Sequence, residues 1–588
     1  MIGSGTPPVI FSRELFAGNI LEKPTRQCSQ PRRAIPPEAK SETFPLANSV
    51  ENPRDAAPPG FRSGRMVGVV GVLTLVVAIF GYLREAVLAA RFGVSSTMDA
   101  YFAAVSIPTI LYIVLITGTL TPIFIPILLR QSESEDRVEA SETFSVVTNF
   151  VIVLLIATIS LAVIAAPKWL PLLFPGFNPA TTEMALRLTY IILPAVLFLG
   201  LTGILTAVLN GFHRFALAAF APVLSSVMVI SSALLARGGR AMYVVGIATA
   251  AGFLAQFLLL VPPTAALGIR YQPILNLRHP AIRTLIRLGV PLLVYLAVAN
   301  ASLFLERNLA SRLSAGAIST LGYAMRLFTL PANFFAAPLA IVTYSQFADE
   351  AVRQGHGKLQ EKVSRMFRLV VFLFVPITIF TMLNTLPIVR LVYEHGRFTR
   401  TDSTITAQAL ALYAIGILPN AIAIVLLRCF FAIQDTMTPL WAEFLNLGFY
   451  AFAATLMARH FGIQGLAIAR GISFVPATAI LVFVLWKRRG LLKFGINFLR
   501  FLGQTIIATL AMGIVSWVCM QLLQPSFDGG HPLFRLGIIL TVLLMSGGAF
   551  LIVAHLLGLC EAGLILNAGL DLISGKRRRG PLLTPPDM

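Results

Sequence analysis

The sequence predicts an all-α polytopic membrane protein of about fourteen transmembrane helices, and three observations carry that prediction. Of the 588 residues, 56% are hydrophobic and only 12% are charged. Apolar runs of about 20 residues recur from Met66 almost to the C-terminus, each long enough to cross a hydrocarbon core of roughly 30 Å. The polar faces that soluble amphipathic helices carry are missing, and the runs are too long and continuous for the short alternating strands of a membrane barrel.

Residues 1–65 stand apart. They combine many prolines with nine Lys or Arg and six acidic residues, the composition of a disordered cytoplasmic extension. They lack the compact apolar region and small-residue cleavage site of a secretory signal, and their acidic residues speak against a transit peptide. The apolar runs then fall at 67–90, 100–129, 143–166, 183–210, 216–236, 242–263, 284–311, 317–345, 366–389, 404–432, 439–458, 464–486, 501–523 and 536–556. Pro122 and Pro194 imply kinks, whose freed carbonyls need neighbouring helices or water. So do Pro108, Pro291, Pro331 and Pro419, the four candidate hinges. A faint internal repeat sets LREAVLAARFGVSSTMDAY, from Leu83, against FLERNLASRLSAGAISTLGY, from Phe304. Glu85 falls on Glu306 and Arg91 on Arg312, an offset of six spans. Repeated halves around a midplane site are the usual plan of secondary transporters. The expected organisation is an N-lobe at 66–270, a C-lobe at 271–490, two further spans at 491–560 and a basic tail at 561–588.

The formal net charge is +20. In a soluble protein that would point to nucleic acid; here the basic residues follow membrane orientation instead. Loops on the N-terminal side hold seventeen Lys or Arg against eleven in the opposite loops, and the tails add nine and four to the first side. Both termini are therefore expected in the cytoplasm. The four cysteines, Cys28, Cys429, Cys519 and Cys560, are scattered without metal spacing. The histidines are isolated, and no phosphate-binding loop, zinc motif or nucleophile elbow occurs. The chain reads as a carrier rather than an enzyme, with no cofactor, driven by an ion gradient, the membrane potential or its substrate's own gradient.

Charges inside the spans are the informative residues. Arg84, Arg307, Arg326, Arg428 and Arg470 lie within apolar runs, as do Glu85, Glu306 and Glu443. Each lone charge costs about 2.5–3.5 kcal/mol at mid-bilayer by insertion scales, so none should face lipid. The cationic surplus favours an anionic ligand, and the planar guanidinium fork suits phosphate. Adjacent charges such as Arg84 and Glu85 point about 100° apart and are not expected to pair with each other. Arg428 and Arg470 read as lying close to the cytoplasmic ends of their spans, where long side chains snorkel. Arg84, Arg326 and Arg307 are the candidate substrate cations. Asp99, Glu85 and Arg91 are the candidate gate residues, with Asp99 either a helix cap or a partner of Arg91 or Arg84.

At these same residues the chain resembles the MurJ/MviN lipid II flippases of the multidrug/oligosaccharidyl-lipid/polysaccharide exporter superfamily. The likeness rests on GYLREAVLAARFG, STMDAYFAA, GTLTPIFIPIL, NGFHRFALAAFAP, YAMRLFTLP, VYEHGRFTRTD and FFAIQDTMTP, in that order, and covers roughly residues 66–560. It implies two six-helix lobes around a cationic cavity, with the last two spans forming a groove for a polyprenyl tail. It also implies a monomer in the bacterial inner membrane, working beside envelope-synthesis proteins. The implied substrate is an undecaprenyl-pyrophosphate-linked saccharide, foremost lipid II, flipped by alternating access. Carried over by position, Arg84, Asp99 and Arg326 match charged residues of the family. Elsewhere the chain departs from the pattern. Ala78, Tyr112 and Ile113 replace family arginines, and Thr117 and Thr329 replace acidic residues. The thinner charge set leaves open another lipid-linked glycan, such as an exopolysaccharide or O-antigen unit. A cation-coupled multidrug exporter and a non-transporting envelope scaffold are the remaining alternatives.

Overall fold

The fold is that of a computed structural model, which describes residues 64–113, 137–212, 214–269, 271–352 and 356–563. Every regular element among them is helical. In chain order they are α1 (Gly64–Phe92), α2 (Ser96–Tyr112), α3 (Arg137–Leu173), α4 (Pro179–Ile192), α5 (Val196–Gly211), α6 (Phe215–Leu235), α7 (Ala241–Ala265) and α8 (Pro280–Ser311). There follow α9 (Ala317–Pro331), α10 (Ala337–Val352), α11 (His356–Leu383), α12 (Thr385–Tyr393), α13 (Arg400–Ala414), α14 (Ile417–Ala432), α15 (Met437–Phe483), α16 (Ile496–Gly529) and α17 (Pro532–Leu556).

Eleven of these stretches are long and apolar enough to cross a membrane, and the pair α13–α14, bent by 47°, supplies a twelfth. The 47-residue α15 is two spans. Drawn straight at 1.5 Å per residue it would run about 70 Å, more than twice the bilayer core. Instead its backbone breaks at Gly462, where φ is 55° and ψ −126°. The chain folds back so tightly that a methyl on Gly465 would collide with the Met457 carbonyl. The run expected at 100–129 begins earlier, with α2, and its later residues, Thr117 and Pro122 among them, lie outside the described ones. The span expected at 366–389 also starts earlier, at His356, and breaks at Asn384 into α11 and α12.

Local chemistry sets the ends. Ser95 accepts the Met98 amide at 3.3 Å and Asn178 the Thr181 amide at 2.8 Å, each capping the helix it precedes. Thr399 and Asp402 form a reciprocal capping box on α13. Of the candidate hinges, Pro331 ends α9 where a π-helical turn, Ala332–Ala336, begins. Pro419 follows the α13–α14 bend, and its carbonyl accepts the Thr478 hydroxyl at 2.8 Å. Pro194 lies in a 3₁₀ turn joining α4 to α5. Proline frees a carbonyl, and these breaks are where the backbone absorbs it. Pro108 and Pro291 differ: the helix runs through both without a break.

The last two helices are tied to α11 and α12 along their length. Arg368 pairs with Glu561 at 3.0 Å, the Asn384 amide donates to Ser516 Oγ at 2.8 Å, and Arg390 pairs with Asp528. Ion pairs at both ends and a hydrogen bond between them make α11, α12, α16 and α17 one packed unit.

Candidate substrate site

α1 carries Arg84 and Glu85 about 8 residues, or some 12 Å, short of its C-terminal end. From α9, Arg326 reaches the same depth. Glu85 Oε1 accepts Arg84 Nη2 at 2.9 Å and Arg326 Nη2 at 3.3 Å. The two cations thus share one carboxylate contributed from two distant parts of the chain. The expectation that Arg84 and Glu85 do not pair is corrected. Their Cβ bonds diverge, but the arginine stem is long enough to curve back, and Glu85 is turned inward with its side chain 4% exposed.

Exposure decides what the cluster can do. The Arg326 side chain is 51% exposed and that of Arg84 24%. Guanidinium groups this exposed cost too much to face lipid, so the cluster borders a wet opening rather than forming a dry structural clamp. One carboxylate also leaves one positive charge uncompensated. Glu85 Oε2 and Arg84 Nε are buried without a hydrogen-bond partner, so the cluster has bonding capacity unspent.

Beyond the cluster, the end of the bundle away from the α1 N-terminus is sewn shut. Asp99, 3% exposed, accepts the backbone amides of Gly316 at 2.7 Å and Ser319 at 2.7 Å. The carboxylate thereby caps α9, where the helix dipole favours a negative group. Asp99 pairs with neither Arg91 nor Arg84; it is a cap, but for a helix distant in sequence. Arg91 donates instead to the Ala236 carbonyl at 2.7 Å. Arg307 donates Nη1 to the Phe102 carbonyl at 2.8 Å, which ties it to the α2–α8 contact. The Arg397 amide donates to the Ala90 carbonyl at 2.7 Å. Tyr323 packs against Phe102, Tyr393 and Phe398 with ring centres 4.9–5.7 Å apart. A glycine is obligatory at 396: φ is +57° there, and a methyl would strike the Ala90 carbonyl.

One intramembrane charge is held otherwise than expected. Arg470 stands near the start of the second limb of α15, with Nε and Nη1 buried inside the bundle rather than snorkelling from a span end. Its guanidinium lies 5.2 Å from the Tyr450 ring centre and 5.4 Å from Phe474. The paired residues Arg390 and Glu394, 2.9 Å apart, and Arg535, 3.6 Å from Glu394, form a knot around Phe527 that sequence reading passed over. They sit at span ends, where charge is ordinary.

Helices enough for a multi-pass bundle, with two partly exposed guanidinium groups drawn over one carboxylate from two parts of it, define a polytopic membrane protein with a cationic cluster inside its spans. Comparison with known proteins gives the family. The model described as lipid II flippase MurJ matches residues 88–536, and the chain belongs to that family. The lipid II flippase MurJ of Burkholderia cenocepacia is 26% identical, over 78% of this chain and 90% of the relative. The probable lipid II flippase MurJ of Synechocystis is 28% identical, over 77% and 88%. Among solved structures, a lipid II flippase MurJ in an inward closed conformation superposes with a TM-score of 0.71 at 22% identity, covering 83% of this chain and 98% of that one. An inward-facing multidrug resistance transporter of the MATE family and MOP superfamily follows at TM-score 0.57 and 15% identity, covering 72% and 98%. These two likenesses concern the fold. The chain is a multi-pass bacterial membrane protein.

Proposed function

We infer that this chain is a flippase that moves lipid II across the membrane. Its family and the family's curated relatives support that reading over a multidrug exporter or another lipid-linked glycan carrier. The observation that carries the chemistry is the sharing of Glu85 by Arg84 and Arg326.

Glu85 holds the two guanidinium groups in place while no substrate is bound. A pyrophosphate brings two or more negative charges near neutral pH and can accept from both forks at once. Arrival of the diphosphate at the two arginines reverses the local charge, from one positive with Glu85 alone to at least one negative with both. It also draws α1 and α9 onto one ligand, which favours closure around it. The far-end seam of Asp99, Arg307 and Arg397 then opens as the two helix sets rock, with flexing at the Pro331 π turn and the Pro419 bend. Lipid II starts at the cytoplasmic face of the inner membrane, and the polyprenyl tail stays in lipid beside α16 and α17. The family model ends at residue 536, inside α17. No catalytic group enters these steps; the membrane potential or an ion gradient supplies direction, and the chain works as a monomer beside envelope-synthesis enzymes.

Complementation tests the reading. This chain is expected to restore growth to a bacterium depleted of its own lipid II flippase. Failure by a chain that is stably inserted would overturn it, the more so if the chain restored export of a different lipid-linked glycan.

A further inference from the structure

The cation cluster has a neutral polar set beside it. Tyr82 lies three residues before Glu85 and so on the same face of α1. Its hydroxyl donates to the Arg326 carbonyl at 3.4 Å. Thr329, three residues past Arg326 on α9, donates to that same carbonyl at 3.0 Å. Asn333 follows in the π turn after Pro331. The side chains of Thr329 and Asn333 both stand beside the Tyr82 hydroxyl. Tyr82 and Thr329 are half-buried, and Asn333 is exposed.

The directions of the two helices fix where this set lies. α1 ends and α9 begins at the closed seam, where the Ala90 carbonyl is held by the Arg397 amide and the Gly316 amide by Asp99. Away from the seam, α1 runs back through Arg84 to Tyr82, and α9 runs forward through Arg326 to Thr329 and Asn333. At 1.5 Å per residue the set lies about 4–10 Å beyond the cluster, on the side away from the seam. With the seam closed, water that reaches the guanidinium groups comes from that side. An exposed amide close to an exposed arginine belongs in a wet opening, not against hydrocarbon.

The three side chains carry no charge. Two hydroxyls and an amide supply both donors and acceptors, and the Tyr82 ring adds an apolar face next to its polar tip. A ligand with hydroxyl and amide groups around a ring with apolar faces matches them, and a sugar has that chemistry. A polyprenyl chain would leave these polar groups unmet, and a phosphate finds its partners at the arginines. The Tyr82 bond, at 3.4 Å, is long for one between oxygens, so a ligand hydroxyl can replace it at little cost.

We propose that Tyr82, Thr329 and Asn333 form a subsite for the sugar joined to the pyrophosphate, and that this subsite makes the chain prefer the glycosylated carrier lipid to the bare one. Cargo whose phosphates meet Arg84 and Arg326 from the open side carries its first ring at this depth. A site built to hydrogen-bond a group discriminates against an analogue that lacks it, because its own polar groups are then left unpaired. The inference rests on the flippase reading and deepens it: the arginines hold the phosphates, and these three residues read what the phosphates carry.

The test titrates two probes onto the full chain in nanodiscs: lipid II, and undecaprenyl pyrophosphate without a saccharide. Each neutral hydrogen bond contributes up to about tenfold in affinity, so the wild type should bind lipid II at least about tenfold more tightly than the bare lipid. Tyr82→Phe should weaken lipid II by about threefold, and the triple variant with Thr329→Val and Asn333→Leu by about tenfold or more, while the bare lipid stays within about twofold of its wild-type affinity. A wild type that binds both lipids alike, a triple variant with the wild-type preference, or an equal loss of both lipids would each overturn the proposal. Should the triple variant fail to fold, an unchanged preference in Tyr82→Phe, which removes a single oxygen, does the same. Lipid II transport in vesicles by a wild type without the preference would strike the subsite and leave the flippase reading standing; binding of neither lipid would overturn both.

Discussion

Asp99 is where the closed seam is most open to attack. Its buried carboxylate accepts two amides from the first turn of α9, both at 2.7 Å. Hydrogen bonds to a charged acceptor contribute about 1.5–3 kcal/mol each. Asp99→Ala loses both and strands two donors at a helix N-terminus, while it relieves the cost of burying the carboxylate. The net weakening of the seam should be about 3 kcal/mol, a shift of roughly a hundredfold toward the open far end. Asp99→Asn keeps one acceptor oxygen and turns a donor toward a donor, so it should lose at least half as much. Spin labels at Gly239→Cys and His460→Cys, in a chain with Cys28 and Cys560 changed to serine, report the result: wild type short, Asp99→Ala long, Asp99→Asn mixed. A folded, monodisperse Asp99→Ala protein with the wild-type distances would show that the cap does not hold the seam.

Other expectations are narrower. Glu85→Gln leaves Arg84 and Arg326 without their carboxylate; lipid II should bind up to about tenfold tighter and cross more slowly, as titration and vesicle assays would show, and weaker binding contradicts the exchange mechanism. Gly396→Ala forces a side chain into a left-handed backbone against the Ala90 carbonyl; a thermal-melt loss of about 1–2 kcal/mol is expected, and an unchanged melt would refute the close approach. Burial and the nearby Arg535 lower the pKa of His395 from its ordinary 6.5. The unfolded chain then binds that proton more readily than the folded one, so stability should fall as pH drops below about 6.5. His395→Asn should remove that part of the acid sensitivity in melting curves, and identical pH profiles would count against it.

The fold was legible because a bilayer imposes a length on every span, and the apolar runs obey it. Element ends were less so. Asn384 interrupts an unbroken apolar run, and only packing against Ser516 reveals why. The intramembrane charges announced themselves by their cost, and Arg84, Glu85 and Arg326 do meet. What sequence spacing could not show was reach. An arginine stem can curve back to its neighbour, as Arg84 does, and an aspartate at the start of one helix can cap another more than 200 residues away, as Asp99 does. Nor could spacing show that Arg470 stacks on Tyr450 and Phe474.

The account turns on Arg84 and Arg326 receiving the pyrophosphate. The direct measurement is lipid II translocation in vesicles by the wild-type chain and by Arg84→Ala, Arg326→Ala, both checked for insertion and monodispersity. Translocation by the wild type and its loss in the double variant is the predicted result. Equal rates from the two proteins would contradict the account at its centre.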